Sequence, residues 1–173
     1  TGYTATAYDS SNNAQGTCTT NASTLTCSVT GLTNGSPYTF KVSATNGIGT
    51  SAASSASSAV TPSTVPNPPT NITVAASDAA ATVSFLTPTN TGGSDILRYE
   101  VTSSPGELTC TVNAPTRSCT IAGLTNGTAY TFTVKAINAN GRSVASSASS
   151  SVNPVASSAP TIASPTNQPT GNP

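Results

Sequence analysis

The stretch Gly31-Leu-Thr-Asn-Gly-Ser-Pro-Tyr-Thr-Phe-Lys-Val-Ser-Ala-Thr-Asn46 recurs in this chain as Gly123-Leu-Thr-Asn-Gly-Thr-Ala-Tyr-Thr-Phe-Thr-Val-Lys-Ala-Ile-Asn138. The second copy lies 92 positions after the first, and the same shift relates Cys18 and Cys27 to Cys110 and Cys119. A period of this length is too long for a solenoid repeat, and each copy is large enough to have its own core. The repeat therefore predicts tandem domains.

Apolar and polar residues alternate in the second half of this stretch. In the later copy the apolar positions of one face are Tyr130, Phe132, Val134 and Ala136. A period of two is typical of a half-buried strand. Further strands are predicted at Asn71–Ala75, Ala81–Leu86, Ile96–Thr102, Leu108–Val112, Ser118–Ala122 and Ser143–Val152. Seven short strands in about ninety residues indicate a β-sandwich.

The second copy resembles a fibronectin type III domain. The resemblance depends on several signals that occur in order, namely Pro68-Pro69-Thr70, Val83-Ser84-Phe85, Gly92-Gly93-Ser94-Asp95-Ile96, Tyr99-Glu100-Val101, Gly123-Leu124, Tyr130 and Asn138 to Gly141. It covers residues 66–153 as a whole unit and residues 1–62 as a partial one. It implies an all-β chain of tandem immunoglobulin-like sandwiches, of which the first lacks its two N-terminal strands.

The same resemblance assigns structural roles to single residues. Leu124 and Tyr130, and by the same match Leu32 and Tyr38, are expected to form the family's tyrosine corner, in which the phenol hydroxyl satisfies a backbone group at a bend. Phe85 stands where the family usually has a buried Trp. We expect a slightly smaller core there and the same fold.

The domain boundaries follow from the repeat and from proline. We predict a partial domain at residues 1–62, a Pro-rich linker at 63–68, a complete domain at 69–153, and a tail or the start of a further repeat at 154–173. Proline restricts the backbone to extended, semi-rigid conformations. The domains are therefore expected to follow one another end to end.

The first copy begins in the middle of a domain, because Tyr3 matches Tyr99 on the third strand. Without two strands of one sheet, the inner face of Tyr38, Phe40 and Val42 should be exposed, and such a body is unstable alone. Two explanations stay open at this point. The missing strands belong to a longer array, or a neighbouring subunit supplies them, with the tail around Ile162 as a candidate donor segment.

Four cysteines permit three pairings, but each repeat contains one Cys-x8-Cys. This repetition favours the pairs Cys18–Cys27 and Cys110–Cys119. Zinc binding is the alternative, which the spacing and the absence of histidine disfavour. Stable disulfides indicate an oxidising compartment, so we expect the protein outside the cell or at its surface.

The composition excludes several classes of protein. The chain has five Lys and Arg, five Asp and Glu, and no His, so its net charge is zero. A nucleic-acid binder needs a basic stripe, and an anionic membrane attracts clustered basic residues. No apolar stretch is long enough to span a membrane. The carboxylates form no glycosidase pair, and no serine has a histidine base. We predict no catalytic, cofactor-binding or metal-binding residues.

Surface modification and contacts are predicted at two kinds of segment. Sequons for N-glycosylation occur at Asn21, Asn34, Asn71 and Asn126, although Asn34 and Asn126 are also explained as turn residues. O-glycosylation is open as well, with the Pro/Ser/Thr tail the favoured place. The Ala/Ser-rich stretches Ser51–Ala59 and Ala145–Ser151 are placed on the last strand of each copy, where they would be a solvated strand or a flat edge for lateral packing.

The leading functional hypothesis is a non-catalytic structural module of an extracellular filament, sheath, stalk or adhesin shaft, completed by strands of a longer chain or of a neighbouring subunit. Its partners would be copies of itself or neighbouring domains, and glycans. The alternative is a spacer or carbohydrate-binding accessory region of a larger secreted hydrolase. A third hypothesis is a recognition module that binds through its loops, which lack the aromatic and arginine residues typical of binding hot spots.

Overall fold

The computed structural model describes residues 1–157, which form ten β-strands and no helix. In the first unit (residues 1–62) one antiparallel sheet has the strand order β2-β1-β3, with β1 at Gly2–Tyr8, β2 at Ala14–Asn21 and β3 at Thr39–Thr45. The second unit (residues 69–153) contains β4 Thr70–Ser77, β5 Ala80–Leu86, β6 Arg98–Ser104, β7 Thr109–Asn113, β8 Ser118–Ala122, β9 Thr131–Asn138 and β10 Gly141–Arg142. The proposed donor segment around Ile162 lies outside the described residues.

The second unit is a complete sandwich of two sheets. One has the strand order β4-β5-β8 and the other β10-β9-β6-β7. The alternation of β9 confirms the predicted face, because Phe132, Val134 and Ala136 are fully buried. They pack against Val83 and Phe85 of the facing sheet within one core cluster. The aromatic ring of Phe85 lies with its centroid 4.8 Å from that of Tyr99, so phenylalanine is accommodated at this core position.

The first unit has one sheet, and its inner face is largely open. Val42 is 41% exposed and Tyr3 is 36% exposed, whereas their counterparts Val134 and Tyr99 are 0% and 1% exposed. The segment around Cys27, which corresponds to β8, forms no strand. In the second unit β8 pairs with β5. The first unit has no strand equivalent to β5, so the segment around Cys27 has no neighbouring strand with which to form backbone hydrogen bonds.

The expected exposure of Tyr38 is wrong. Its side chain is buried, at 5% exposure, because its own unit covers it. The backbone amide of Thr33 donates to the Tyr38 hydroxyl at 3.1 Å, and Tyr38 and Val60 form two backbone hydrogen bonds of 2.9 and 2.8 Å. The bend between residues 31 and 38 therefore closes this end of the unit without the missing strands.

The predicted last strand, Ser143–Val152, is also wrong for most of its length. Only β10, at Gly141–Arg142, and a bridge between Tyr130 and Val152 pair as β-structure. Between them every third residue is a serine that contacts β9 twice. The Ser146 amide donates to the Val134 carbonyl at 2.9 Å, and the Ser146 hydroxyl accepts from the Val134 amide at 2.9 Å.

This pattern repeats along both copies. The serines that bond in this way are Ser143, Ser146 and Ser149 in the second unit and Ser51, Ser54 and Ser57 in the first. A period of three is that of a polyproline II helix, whereas a strand has a period of two. The segments are therefore extended ribbons that are held by serine hydroxyls, and we name them the serine ribbons.

Candidate functional site: the junction between the two units

The linker between the units is fixed to the second unit by hydrogen bonds. The Thr64 amide donates to the Gly92 carbonyl at 2.8 Å, and the Asn67 amide donates to the Asn90 carbonyl at 3.0 Å. This approach requires glycine at position 92, because the Cβ of any other residue would lie only 2.2 Å from the Thr64 carbonyl oxygen. The loop that joins β5 to β6 thus binds the backbone that enters from the first unit.

Asn138, at the end of β9, lies at the centre of the junction. Its side chain is 3% exposed. The amide nitrogen donates to the carbonyls of Thr64 and Thr91 at 2.7 and 2.9 Å, and the amide oxygen accepts from the Asn140 backbone at 2.9 Å. One buried side chain therefore ties the linker, the β5–β6 loop and the β9–β10 turn together. Because buried polar groups without partners are costly, these bonds hold the three segments in one arrangement.

The two units also touch directly. A Cβ built on Gly93 would lie 2.3 Å from the Gly35 nitrogen and 2.7 Å from the Asn34 carbonyl carbon. The turn at Asn34 and Gly35 belongs to the first unit and is held by the Gly35 amide, which donates to the Pro62 carbonyl at 2.9 Å. Glycine at position 93 is thus what permits the backbones of the two units to approach.

The tyrosine corners lie at equivalent bends of the two units. In the second unit the Thr125 amide donates to the Tyr130 hydroxyl at 3.1 Å, which matches the bond between Thr33 and Tyr38. Leu124 is buried beside Tyr130, at 3% exposure, and Leu32 is half-buried. Each corner fixes a bend that contains an Asn-Gly turn. This turn is Asn34-Gly35 in the first unit and Asn126-Gly127 in the second.

Replacing Tyr130 with phenylalanine should lower the free energy of unfolding of the second unit by about 1–2 kcal/mol, because the part-buried Thr125 amide loses its acceptor. Chemical denaturation of the full chain measures the change. The surface variant Tyr3→Phe is the control and should change stability by less than about 0.5 kcal/mol. Equal effects of the two variants would contradict the structural role of the corner.

The four cysteines form two disulfides, Cys18–Cys27 and Cys110–Cys119, with Cα separations of 6.0 and 6.2 Å. In the second unit the bond joins β7 of one sheet to β8 of the other. In the first unit it joins β2 to the segment that forms no strand. The second bond thus links the two sheets of a complete sandwich, whereas the first fastens an unpaired segment to its sheet.

The four sequon residues are exposed and belong to turns or to strand ends: Asn21, Asn34, Asn71 and Asn126. Asn126 has a structural task, because its amide oxygen accepts from the Ala79 backbone at 2.9 Å and its amide nitrogen donates to Asp78 at 2.7 Å. A glycan would be attached to that nitrogen. Glycosylation of the four positions stays a prediction.

The charged side chains are scattered over the two units. The Asn13 backbone amide donates to the Asp9 carboxylate and lowers its pKa, as in an ordinary loop. Residues 1–157 contain no cluster of three or more His, Cys, Asp or Glu side chains that could hold a metal ion. No helix able to cross a membrane occurs in the described part of the chain.

The sequence alone did not identify the junction. Asn46 and Asn138 recur in the repeat, directly after the alternating strand, and this was the available signal for a structural asparagine. Nothing in the sequence indicated that Gly93 faces Gly35, because that contact depends on how the two units meet.

The fold and the repeat define a class of tandem all-β modules, and the comparison with known families agrees. The fibronectin type III domain profile matches residues 1–61 and 67–153. The chain therefore belongs to the fibronectin type III family. A two-domain fibronectin type III segment of chicken tenascin has the same fold, with a TM-score of 0.50, 19% identity and coverage of 88% of this chain and 84% of that one.

Two similar proteins are much longer than this chain. A Kelch domain-containing protein, SSO1033, of Saccharolobus solfataricus is 37% identical over 116 residues, which are 66% of this chain and 16% of that protein. Chitinase A1 of Niallia circulans is 36% identical over 143 residues, which are 77% of this chain and 20% of that protein. The chain thus spans a fifth or less of the length of these curated relatives.

Proposed function

We propose that this chain is a non-catalytic structural module of an extracellular assembly, in which it holds neighbouring domains at a defined distance and orientation. The junction is the observation that carries the proposal. Asn138 is buried between three segments, and Gly93 meets Gly35 backbone to backbone. A linker with no such contacts would leave the two units free to reorient.

An extracellular location is part of this proposal. The two disulfides support this location, because disulfides persist in oxidising compartments. Exposed serine and threonine and a net charge of zero allow dense packing of such modules with weak long-range repulsion. A filament, sheath, stalk or adhesin shaft would require modules that are stable outside the cell and that pack densely.

The junction is tested by Gly93→Ala. Alanine at this position is expected to separate the two units, because its Cβ would overlap the Gly35 backbone. Residual dipolar couplings report on this directly. In the native chain the couplings of both units should fit one alignment tensor, whereas in Gly93→Ala each unit should need its own.

Gly106→Ala is the matched control. Gly106 has a φ of +87°, close to the +79° of Gly93, but a Cβ on Gly106 would meet nothing within 4 Å. Both variants therefore carry the same backbone penalty of about 1 kcal/mol, and only one disturbs the junction. Two different tensors in the native chain, or one shared tensor in Gly93→Ala, would contradict the proposal.

The open face of the first unit supports a second contact in such an assembly. In the second unit β4 and β5 cover the corresponding face and bury Tyr99 and Val134 completely or nearly so. Two strands of this kind, from a longer chain or from a neighbouring subunit, would bury Tyr3 and Val42 in the same way. Light scattering over a range of concentrations measures the molar mass and so distinguishes these two sources of the strands. A chain that stays monomeric at every concentration would argue against strands from a neighbouring subunit.

A second candidate function is favoured by the similarity to chitinase A1. In that case the module is a spacer or carbohydrate-binding accessory region of a larger secreted hydrolase. The rigid junction serves this function equally well. A catalytic domain in the full-length chain would favour the accessory region, whereas further repeats on both sides would favour the structural assembly.

A further inference from the structure

The turn at residues 126–127 of the second unit repeats the turn of the first unit that contacts Gly93. The φ angle is +81° at Gly127 and +84° at Gly35. The backbone hydrogen bond that closes each turn measures 3.2 Å in the second unit and 3.3 Å in the first. The two units therefore present the same backbone surface at equivalent positions of the repeat.

The chain also leaves the two units in the same way. The Gly127 amide donates to the Pro154 carbonyl at 2.8 Å, as the Gly35 amide donates to the Pro62 carbonyl at 2.9 Å. In both units a bridge joins the tyrosine of the corner to a valine that lies two residues before this proline. A unit that follows Pro154 at the spacing with which the second unit follows Pro62 would therefore start from the same backbone position.

In the first unit this surface is occupied, whereas in the second unit it is open. A Cβ built on Gly35 would lie 3.1 Å from the Gly93 Cα, but a Cβ built on Gly127 would meet no other part of residues 1–157 within 4 Å. The Asn126 side chain is hydrogen-bonded to the β4–β5 turn at 2.7 and 2.9 Å, so the open turn is held in shape without a partner. A preformed surface loses little conformational entropy on binding. We name this turn, together with Pro154, the Gly127 surface.

The partner of the Gly127 surface must approach without a side chain. Gly93 has a φ of +79°, and a Cβ built on it would overlap the backbone of Gly35. The loop that carries Gly93 is a Gly-Gly pair between β5 and β6, and a loop of this kind fits the open surface. A second intact copy of this chain cannot supply it, because Gly93 of that copy already contacts its own first unit.

We infer that the Gly127 surface binds the Gly-Gly loop of a following fibronectin type III unit. The inference rests on the proposed function, because it takes the junction between the two units as a defined contact. Each unit would then use one surface toward the unit before it and a different surface toward the unit after it, which is a head-to-tail contact. Neighbouring units would meet in the same relative orientation along the whole array.

The test uses a three-unit chain, in which residues 1–154 are followed by a second copy of residues 63–153. Segmental ¹⁵N labelling gives separate residual dipolar couplings for the second unit and for the added unit in one alignment medium. Both sets of couplings are expected to fit one alignment tensor, because the added unit repeats the junction at the Gly127 surface.

Two variants should separate the added unit from the second unit. Gly93→Ala in the added unit alone should do so because its Cβ would overlap the backbone of the turn, as it would at Gly35. Insertion of Gly-Ser-Gly-Ser after Pro154 should do so because it changes the spacing and leaves both folded units unaltered. Gly106→Ala in the added unit is the matched control, since a Cβ there meets nothing within 4 Å, and one tensor should still fit.

The inference is overturned if the added unit of the unaltered three-unit chain needs a tensor of its own, or if one tensor still fits after Gly93→Ala. Should that variant not fold, the insertion decides in its place. A separate tensor for the added unit, with one tensor shared by the first and second units, would leave the proposed function intact. Separate tensors for the first and second units would overturn both.

Discussion

Phe132→Ala is expected to cost the second unit about 3–5 kcal/mol of unfolding free energy, whereas Phe40→Ala should cost the first unit less than half as much. The two residues are equivalent in the repeat. Phe132 is fully buried between two sheets, but Phe40 is only half-buried on a face that its own unit leaves open. The difference follows from the number of atoms that lose a packing partner when the ring is removed.

Urea denaturation of the full chain, followed through resolved NMR signals of each unit, measures both effects in one molecule. The two variants have the same change in side chain at equivalent positions of the repeat, so each is the control for the other. Equal losses would mean that the inner face of the first unit is covered in solution. Under that outcome the open face would no longer support a contact with added strands.

The second large effect is expected for removal of the Cys110–Cys119 disulfide. The double variant Cys110→Ala, Cys119→Ala should lose about 2–3 kcal/mol, since the bond closes a short loop and restricts the unfolded chain. Cys119 is also 7% exposed and packs within the core, so its sulfur contributes to packing. Thermal or urea unfolding gives the value, and reduction of the native chain should reproduce most of it.

The disulfide of the first unit supplies the comparison. Cys18–Cys27 has the same sequence separation of 9 but ends in a segment that forms no strand. Its removal should therefore lower the stability of the first unit only by the entropy gained when the unfolded chain is no longer closed into a loop, without a loss of core packing. A larger loss in the first unit than in the second would indicate that this segment is ordered by contacts that its own unit does not provide.

Much of the second unit could be predicted from alternation and repetition. Ser118–Ala122 was predicted with the bounds that β8 has, and the alternating face of β9 was correct. The final strand was wrong because the repeat placed this segment on a strand, and the recurrence of serine at every third position was not considered. A serine hydroxyl can accept the backbone hydrogen bond that a strand residue would accept through its carbonyl, and then a period of three suffices.

The contacts between parts of the chain were beyond prediction for a different reason. The approach of Gly93 to Gly35 depends on the relative placement of two folded bodies. The bend at Tyr38, by contrast, was expected from the tyrosine corner, although its effect on the burial of Tyr38 was not drawn from it. Pattern arguments report which face of a strand is apolar. They do not report which distant backbone comes to lie against it.

The serine ribbons have a consequence for growth of the sheets. A strand at the rim of a sheet offers a row of evenly spaced donors and acceptors on which a foreign strand can register, and this is the route by which β-proteins polymerise into amyloid. A ribbon with three residues per turn turns its peptide groups in successive directions, so no such row exists on its outer side. The sheet edges at β3 and β9, along which the serine ribbons run, are therefore closed to a foreign strand even when such molecules are crowded together.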